Sequence, residues 1–219
     1  MNGENKMLVL IAAAKKELIN QRVKLIEDAG MRLNVICIDY ISLINAFNFN
    51  YGQDDSVKEK AVALLNIGAS VTNLNILENG IPRLSRDINI AGNNFTQKIM
   101  EVFSLDLKAA EELKLNPKDS NAKNLAICQE SILTNLASEI RTSFDYYESQ
   151  STISVSKIFA SGGGSNFEGL KEMLANSLGI EVEYWDPLKQ ISVSQEIGPE
   201  KVKPVSHQLA VAVGLALRR

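Results

Sequence analysis

Apolar positions along this chain follow two different periods. Residues 7–14 form a short continuous apolar run, the pattern of a buried strand. Over residues 14–28, Leu18, Ile19, Val23, Leu25 and Ile26 recur near helical spacing, which predicts an amphipathic helix stopped at Gly30. Residues 35–38 are a second short apolar run. Asp39 is placed to cap a helix carrying Ile41, Leu43, Ile44 and Phe47. The polar, turn-prone stretch 48–56 then makes the best internal boundary.

Residues 61–65 read as a buried strand that ends at Asn66, Ile67, Gly68, Ala69 and Ser70. Residues 71–77 alternate with the period of a strand, and Glu78-Asn79-Gly80 carries the strongest short hairpin signal. A third strand over 81–90 completes a meander. From 94 to about 150 the pattern turns helical, with helices predicted at 95–103, 106–114 and roughly 121–147. A strand at 154–160 breaks at Ser161-Gly162-Gly163-Gly164-Ser165-Asn166. A helix at 167–178, a strand at 180–184 and a helix from Ser206 follow. The expectation is an α/β protein with a mixed sheet, helices on both faces and a helical lobe at about 94–150. Residues 1–55 and 56–219 are expected to be separate domains.

Composition changes this picture little. The chain is 45% hydrophobic and 22% charged, with a net charge of −3. A nucleic-acid partner is not expected, because it needs a basic stripe. The runs 7–14 and 209–217 are too short to cross a bilayer, so any membrane link is expected to go through a partner. Residues 1–6 show no signal-peptide pattern. Cys37 and Cys128 read as buried free thiols in a reducing cytoplasm, with no metal spacing around them. His207 stands beside the C-terminal helix, where capping or a surface place is the expected role. Trp185 is expected at the core edge, and Asp145-Tyr146-Tyr147 packed against the sheet.

Three places carry candidate chemistry. Gly162, Gly163, Gly164 and Ser165 lie between a strand and a helix, where backbone can approach a phosphate or nucleoside. The same residues also suit a plain turn capped by Ser165 or Asn166. Asn66, Gly68, Ala69, Ser70 and Thr72 form a hairpin tip that can aim N–H groups and hydroxyls at phosphates, or can be an ordinary hairpin. Glu111 and Lys114 lie three apart on one helix face, the spacing of a solvated ion pair.

The order of these three elements, with their flanks, resembles the PilM family, the actin-like cytoplasmic proteins of type IV pilus assembly, related more distantly to the division protein FtsA. Residues 10–17, Ala29-Gly30-Met31 with Ile38-Asp39, and Ala46-Phe47 are similar to the strands and helices near the end of that family's first domain. Leu65-Asn66-Ile67-Gly68-Ala69-Ser70-Val71-Thr72 resembles its second phosphate loop. Ala110-Glu111 with Lys114 resembles the helix that touches ribose and base, and Ser161-Gly162-Gly163-Gly164-Ser165 the adenosine loop. Residues 212–218 resemble the C-terminal helix.

The resemblance implies an actin-like, ribonuclease H-like fold and a site for ATP or ADP. It also implies docking to a PilN-like inner-membrane protein through that partner's cytoplasmic N-terminal peptide. The family's opening strand–DxG–hairpin has no counterpart before Met7, so the first domain is expected to be incomplete and PilN binding weakened or absent. Asn66 stands where the family has a metal-holding aspartate, and a neutral amide attracts Mg²⁺ less. The expectation is therefore a scaffold with weak or no hydrolysis and no catalytic residue. An active ATPase or sugar-kinase-like enzyme, and a module that binds no nucleotide, are the alternatives.

Overall fold

The computed structural model describes residues 11–55, 57–117, 119–166 and 169–218. The chain divides into two compact units at Ile38/Asp39. In the first, residues 7–10 of the expected strand lie outside the described residues. Residues 11–14 are exposed coil. The expected helix forms as α1 (Lys16–Asp28), but it buries no residue. Residues 35–38 are not a strand. A strand needs a ladder partner, and the described part of this unit offers no second one. Cys37, in the same stretch, is half-buried rather than buried, whereas Cys128 is buried.

The second unit holds a five-stranded mixed sheet: β1 (Ala61–Ile67), β2 (Thr72–Glu78), β3 (Ile81–Ile88), β4 (Val155–Ser161) and β5 (Glu181–Tyr184). The order is β3-β2-β1-β4-β5. β1–β2 and β2–β3 are antiparallel, while β1–β4 and β4–β5 are parallel. β1 is central, which explains its near-continuous apolar run: every residue but Asn66 is buried. Asn79 and Gly80 turn the β2–β3 hairpin with φ of 53° and 73°, the positive values a two-residue type I′ turn needs.

The helices are α2 (Asp39–Tyr51), α3 (Gly92–Phe103), α4 (Leu107–Leu115), α5 (Ala122–Glu148), α6 (Leu170–Leu178), α7 (Pro199–Val202) and α8 (Ala210–Ala216). One face of the sheet packs Ala63, Leu65, Ile67 and Leu74 against Phe95, Leu136, Ile140, Phe144 and Leu174 from α3, α5 and α6. The other packs Val62, Leu64 and Phe159 against Leu43, Phe47 and Tyr51 of α2 and Ala210 of α8. A smaller core joins Ile99, Ala110, Leu113, Leu125 and Cys128 of α3, α4 and α5. That is the expected helical lobe.

Three expectations differ. The stretch 48–56 is expected as the internal boundary, yet α2 runs through to Tyr51 and belongs to the second unit. Its polar appearance hides an anchor: Asn50 is 0% exposed, and its Nδ2 donates to Ala46 O and Pro187 O, both at 2.8 Å. Trp185 lies inside the core, 2% exposed, edge-on to Phe47 and Tyr51. Tyr147 packs against the sheet and its hydroxyl donates to Glu78, but Tyr146 is exposed.

Candidate functional site

Parallel pairing sets Asn66 of β1 opposite Ser161 of β4, so the carboxyl ends of the two strands emerge side by side. In open α/β sheets that is where ligands bind. Both loops singled out from the sequence leave from these ends.

They interlock through backbone. Gly162 has a φ of +91°, and a Cβ there would run into the Ile67 carbonyl. A Cβ on Gly164 would lie 2.6 Å from the Gly68 carbonyl. Glycine at these two positions is what lets the β4 loop lie directly on the β1 loop. Gly163 differs: it is exposed, and a Cβ there would meet only the Gln208 side chain, at 3.6 Å.

Other bonds hold the loop from behind. Gly162 N donates to His207 O at 3.0 Å. The Ser165 hydroxyl donates to Gly162 O at 2.6 Å, and the Tyr184 hydroxyl to Ser165 O at 3.0 Å. Burial, with Glu172 nearby, pushes the Tyr184 phenol up to about 12, so it stays a donor. Ser165 is 1% exposed, so its hydroxyl braces the turn and faces no ligand. His207 is half-buried. Its Nε2 is buried with no partner among the described residues, and burial lowers its pKa.

The hairpin tip is stitched to α3. Gly68 O accepts from Gly92 N at 3.0 Å and Ala69 O from Asn93 N at 2.7 Å. The first amides of α3 are thus already used. The Asn93 side chain donates to Ser70 Oγ at 3.2 Å, and Ala69 and Ser70 remain exposed. Thr72 does not belong to the tip. It is 0% exposed and its hydroxyl donates to Ile90 O at 2.6 Å, so the proton expected for a phosphate is already committed. Asn66 Nδ2 donates to Asn73 Oδ1 at 3.2 Å, and Asn66 Oδ1 accepts from Ser161 Oγ at 3.4 Å.

Glu111 and Lys114 are not a solvated pair. The Lys114 side chain is 13% exposed. Its Nζ donates to Glu111 Oε1 and Thr96 Oγ1, both at 2.7 Å, and reaches Gly92 O at 3.5 Å. Thr96 also donates to Glu111. Burial raises the Glu111 carboxyl, but the bonds from Lys114 and Thr96 outweigh it and hold it below the ordinary range. Thr96 and Gly92 were not legible as partners, because nothing in their sequence context points at α4.

The β4 loop and α4 meet beside the amino end of α3, while the hairpin tip reaches them only through its bonds to α3. Gly92, Lys114, Leu115, Gly163, Gly164 and Asn166 line one cleft, closed down to about 10 Å³, room for one water. The lining offers exposed backbone at Gly163, the Asn166 amide and the apolar Leu115. Among the described residues no group of three or more His, Cys, Asp or Glu could hold a metal ion. Asn66 is neutral and both ends of its amide are hydrogen-bonded, so it offers a cation no charge.

A mixed sheet with helices on both faces, a helical lobe, and paired loops at adjacent strand ends define an actin-like fold. Solved structures agree. The chain aligns with EutJ, an ethanolamine utilization protein of Carboxydothermus hydrogenoformans, with a TM-score of 0.66 at 15% identity over 93% of this chain and 62% of that one. MreB5 of Spiroplasma citri bound to ADP gives 0.57 at 14%, over 94% and 66%. The model of the type IV pilus assembly protein PilM family matches residues 1–219, and the chain belongs to that family. A chain of a PilM–PilN type IV pilus biogenesis complex is similar at 26% identity with a TM-score of 0.82. That match covers 94% of this chain and 58% of that one, so this chain spans less than two thirds of its length. Among the described residues no helix is long and apolar enough to cross a membrane.

Proposed function

We propose that this chain is a nucleotide-binding scaffold of type IV pilus assembly that hydrolyses its nucleotide weakly or not at all. The observation that carries this reading is the interlock of the two loops opposite Lys114. It leaves Gly163 and Asn166 exposed toward α4 and Ser70 exposed at the hairpin tip. In the proposed complex, the base and ribose of ADP or ATP lie between Gly163 and α4, with Glu111 and Lys114 on the ribose side. Ser70 and the Ala69 amide face the phosphates. α4 belongs to the small separate core, which favours its outward movement over any distortion of the sheet.

Hydrolysis needs a metal clamp and a positioned water. Asn66 supplies no charge for the first. The nucleotide acts here as a structural ligand. A ligand that binds only the folded state raises the unfolding midpoint by mass action. The test is thermal unfolding with ADP or ATP, each with Mg²⁺ and with EDTA. A rise of several degrees at millimolar nucleotide, the same in EDTA, is expected. No rise would sink the nucleotide reading, and Mg²⁺-dependent turnover would sink the scaffold reading in favour of an ATPase.

The proposed partner is a PilN-like inner-membrane protein, engaged through its cytoplasmic N-terminal peptide, which would put this chain at the cytoplasmic face of the inner membrane. The resemblance to a chain of a PilM–PilN complex supports this. A pull-down with that peptide tests it: retention supports the partner, and no retention at all counts against it.

A further inference from the structure

One row of polar side chains crosses four strands at the site end of the sheet. Ser161, Asn66, Asn73 and Asp87 are successive partners in register on β4, β1, β2 and β3. Asn73 Nδ2 donates to Asp87 Oδ1 at 2.7 Å, Asn66 Nδ2 donates to Asn73 Oδ1 at 3.2 Å, and Ser161 Oγ donates to Asn66 Oδ1 at 3.4 Å. Asn73 is only 8% exposed, so water does not compete freely for its amide.

The direction of this row follows from its end. An ionised carboxylate accepts and cannot donate, whereas an amide has one donating and one accepting end. Asp87 therefore draws the NH₂ of Asn73 toward β3. That leaves the Asn73 carbonyl facing Asn66, which must answer with its own NH₂. Asn66 then turns its carbonyl oxygen toward Ser161 and the glycine loop.

The neighbouring pair shows what happens without a carboxylate. Asn75 faces Ser85, whose hydroxyl donates to Asn75 Oδ1 at 2.8 Å. The amide is turned the opposite way, and its buried Nδ2 has no partner among the described residues.

We propose that Asp87 is a positioning residue: it acts through Asn73 to set the orientation of Asn66, so that this position presents an accepting oxygen at the loop and excludes an acid there. Placing an aspartate at 66 would set a carboxylate against the Asn73 carbonyl, acceptor against acceptor. The row has room for one carboxylate, and here it stands on β3. This inference rests on the hydrogen-bond row alone. It is independent of whether nucleotide binds.

The test is a double-mutant cycle on the full chain, read by unfolding midpoint at neutral pH. Asn66→Asp is expected to lower the midpoint by about 5 °C, a cost of one unpaired buried acceptor in a chain of this size. Asp87→Asn alone is expected to change it by about 2 °C or less, as for an exposed substitution. The double variant, in which Asn73 can turn its NH₂ to Asp at 66, is expected to recover at least half of the loss. Costs that simply add would overturn the proposal.

A second readout separates orientation from packing. Below the carboxylate range a protonated acid at 66 can donate to Asn73, so the deficit of Asn66→Asp should shrink on acidification. In the double variant it should not. An unchanged deficit overturns the proposal. If Asn66→Asp does not fold at neutral pH, a folded double variant supports the proposal and an unfolded one overturns it.

Discussion

The two glycine loops look alike in sequence and are built for different ends. In the β4 loop, Gly162 and Gly164 are consumed by contact with the Ile67 and Gly68 carbonyls, and only Gly163 faces outward. In the β1 loop, Gly68 and Ala69 give their carbonyls to the first amides of α3, and Ala69 and Ser70 remain exposed. A glycine run therefore does not mark three ligand contacts. Two of these glycines let one loop rest on the other, and the residue between them is the most exposed of the three.

The sharpest way to break that distinction is to add a methyl group at each glycine. Gly162→Ala should cost the most. It combines a φ of +91° with a Cβ driven into the Ile67 carbonyl. Strain and overpacking together are worth about 3 kcal/mol or more. In a chain of this size that is a fall of roughly 10 °C in midpoint, or failure to fold. Gly164→Ala has no such φ but meets the Gly68 carbonyl at 2.6 Å, so a smaller loss of about 1–3 kcal/mol is expected. Melting curves of both variants decide it. Wild-type midpoints would show that the loops are not interlocked.

Lys114 comes next, because it ties α4 to the amino end of α3 beside both loops. Lys114→Met keeps the length of the stem and removes three donated bonds, to Glu111, Thr96 and Gly92. The Glu111 side chain is 38% exposed, so water partly replaces its partner. A loss of about 1–2 kcal/mol is expected. The same variant should lose most of any nucleotide-induced rise in midpoint. A variant as stable as wild type would mean that the lysine is only a surface charge.

The sequence carried most of the fold and only part of this site. Strands announced themselves where burial is two-sided, as in 61–65, or where Asn79-Gly80 dictates the turn. The glycine loops were legible as turns at strand ends, although a plain capped turn or an ordinary hairpin fits the same residues. Neighbours across the sheet were not. A two-residue turn that pairs Glu78 with Ile81 would, continued without a break, set Asn73 opposite Arg86. An irregularity between Ile76 and Leu77 shifts the register and brings Asp87 there instead. No composition signal marks that irregularity, so the row from Asp87 to Asn66 could not be foreseen. Thr72 was misread for a related reason: alternation placed it in a strand but did not say that the Ile90 carbonyl would take its proton. The exposed apolar side chains of α1 were equally illegible, since amphipathic spacing predicts a helix and not what covers it.

Acid should weaken the α4 tie in a defined window. The folded Glu111 carboxyl lies below the ordinary glutamate range, although burial alone would raise it, because Lys114 and Thr96 bond the ionised form. A depressed folded pKa contributes stability that is fully present above the unfolded value and is lost as pH falls through the folded one. The loss therefore begins as pH drops out of the ordinary glutamate range and completes below it. With the carboxylate 38% exposed, solvent screening limits the effect to a fraction of a kcal/mol. Glu111→Gln should flatten that part of the stability–pH profile by about that amount, measured by urea melts between neutral pH and pH of about 3. An identical slope in both proteins would remove Glu111 from the account.

The one substitution expected to cost no stability is the most informative about the comparison. Gly163→Ala adds a methyl group that meets only Gln208, at 3.6 Å, an ordinary contact. The backbone there does not need glycine, so the variant should be as stable as wild type or slightly more, by about 0.4–1 kcal/mol through a stiffer unfolded chain. Yet this is the glycine that faces α4 across the cleft. If a base lies against it, the methyl group should cut the nucleotide-induced rise in midpoint, and Gly163→Val should abolish it, while the unliganded midpoint barely moves. A full nucleotide response in both variants would show that no ligand lies against Gly163, and would leave Asn166 to carry the β4 side of the proposed site.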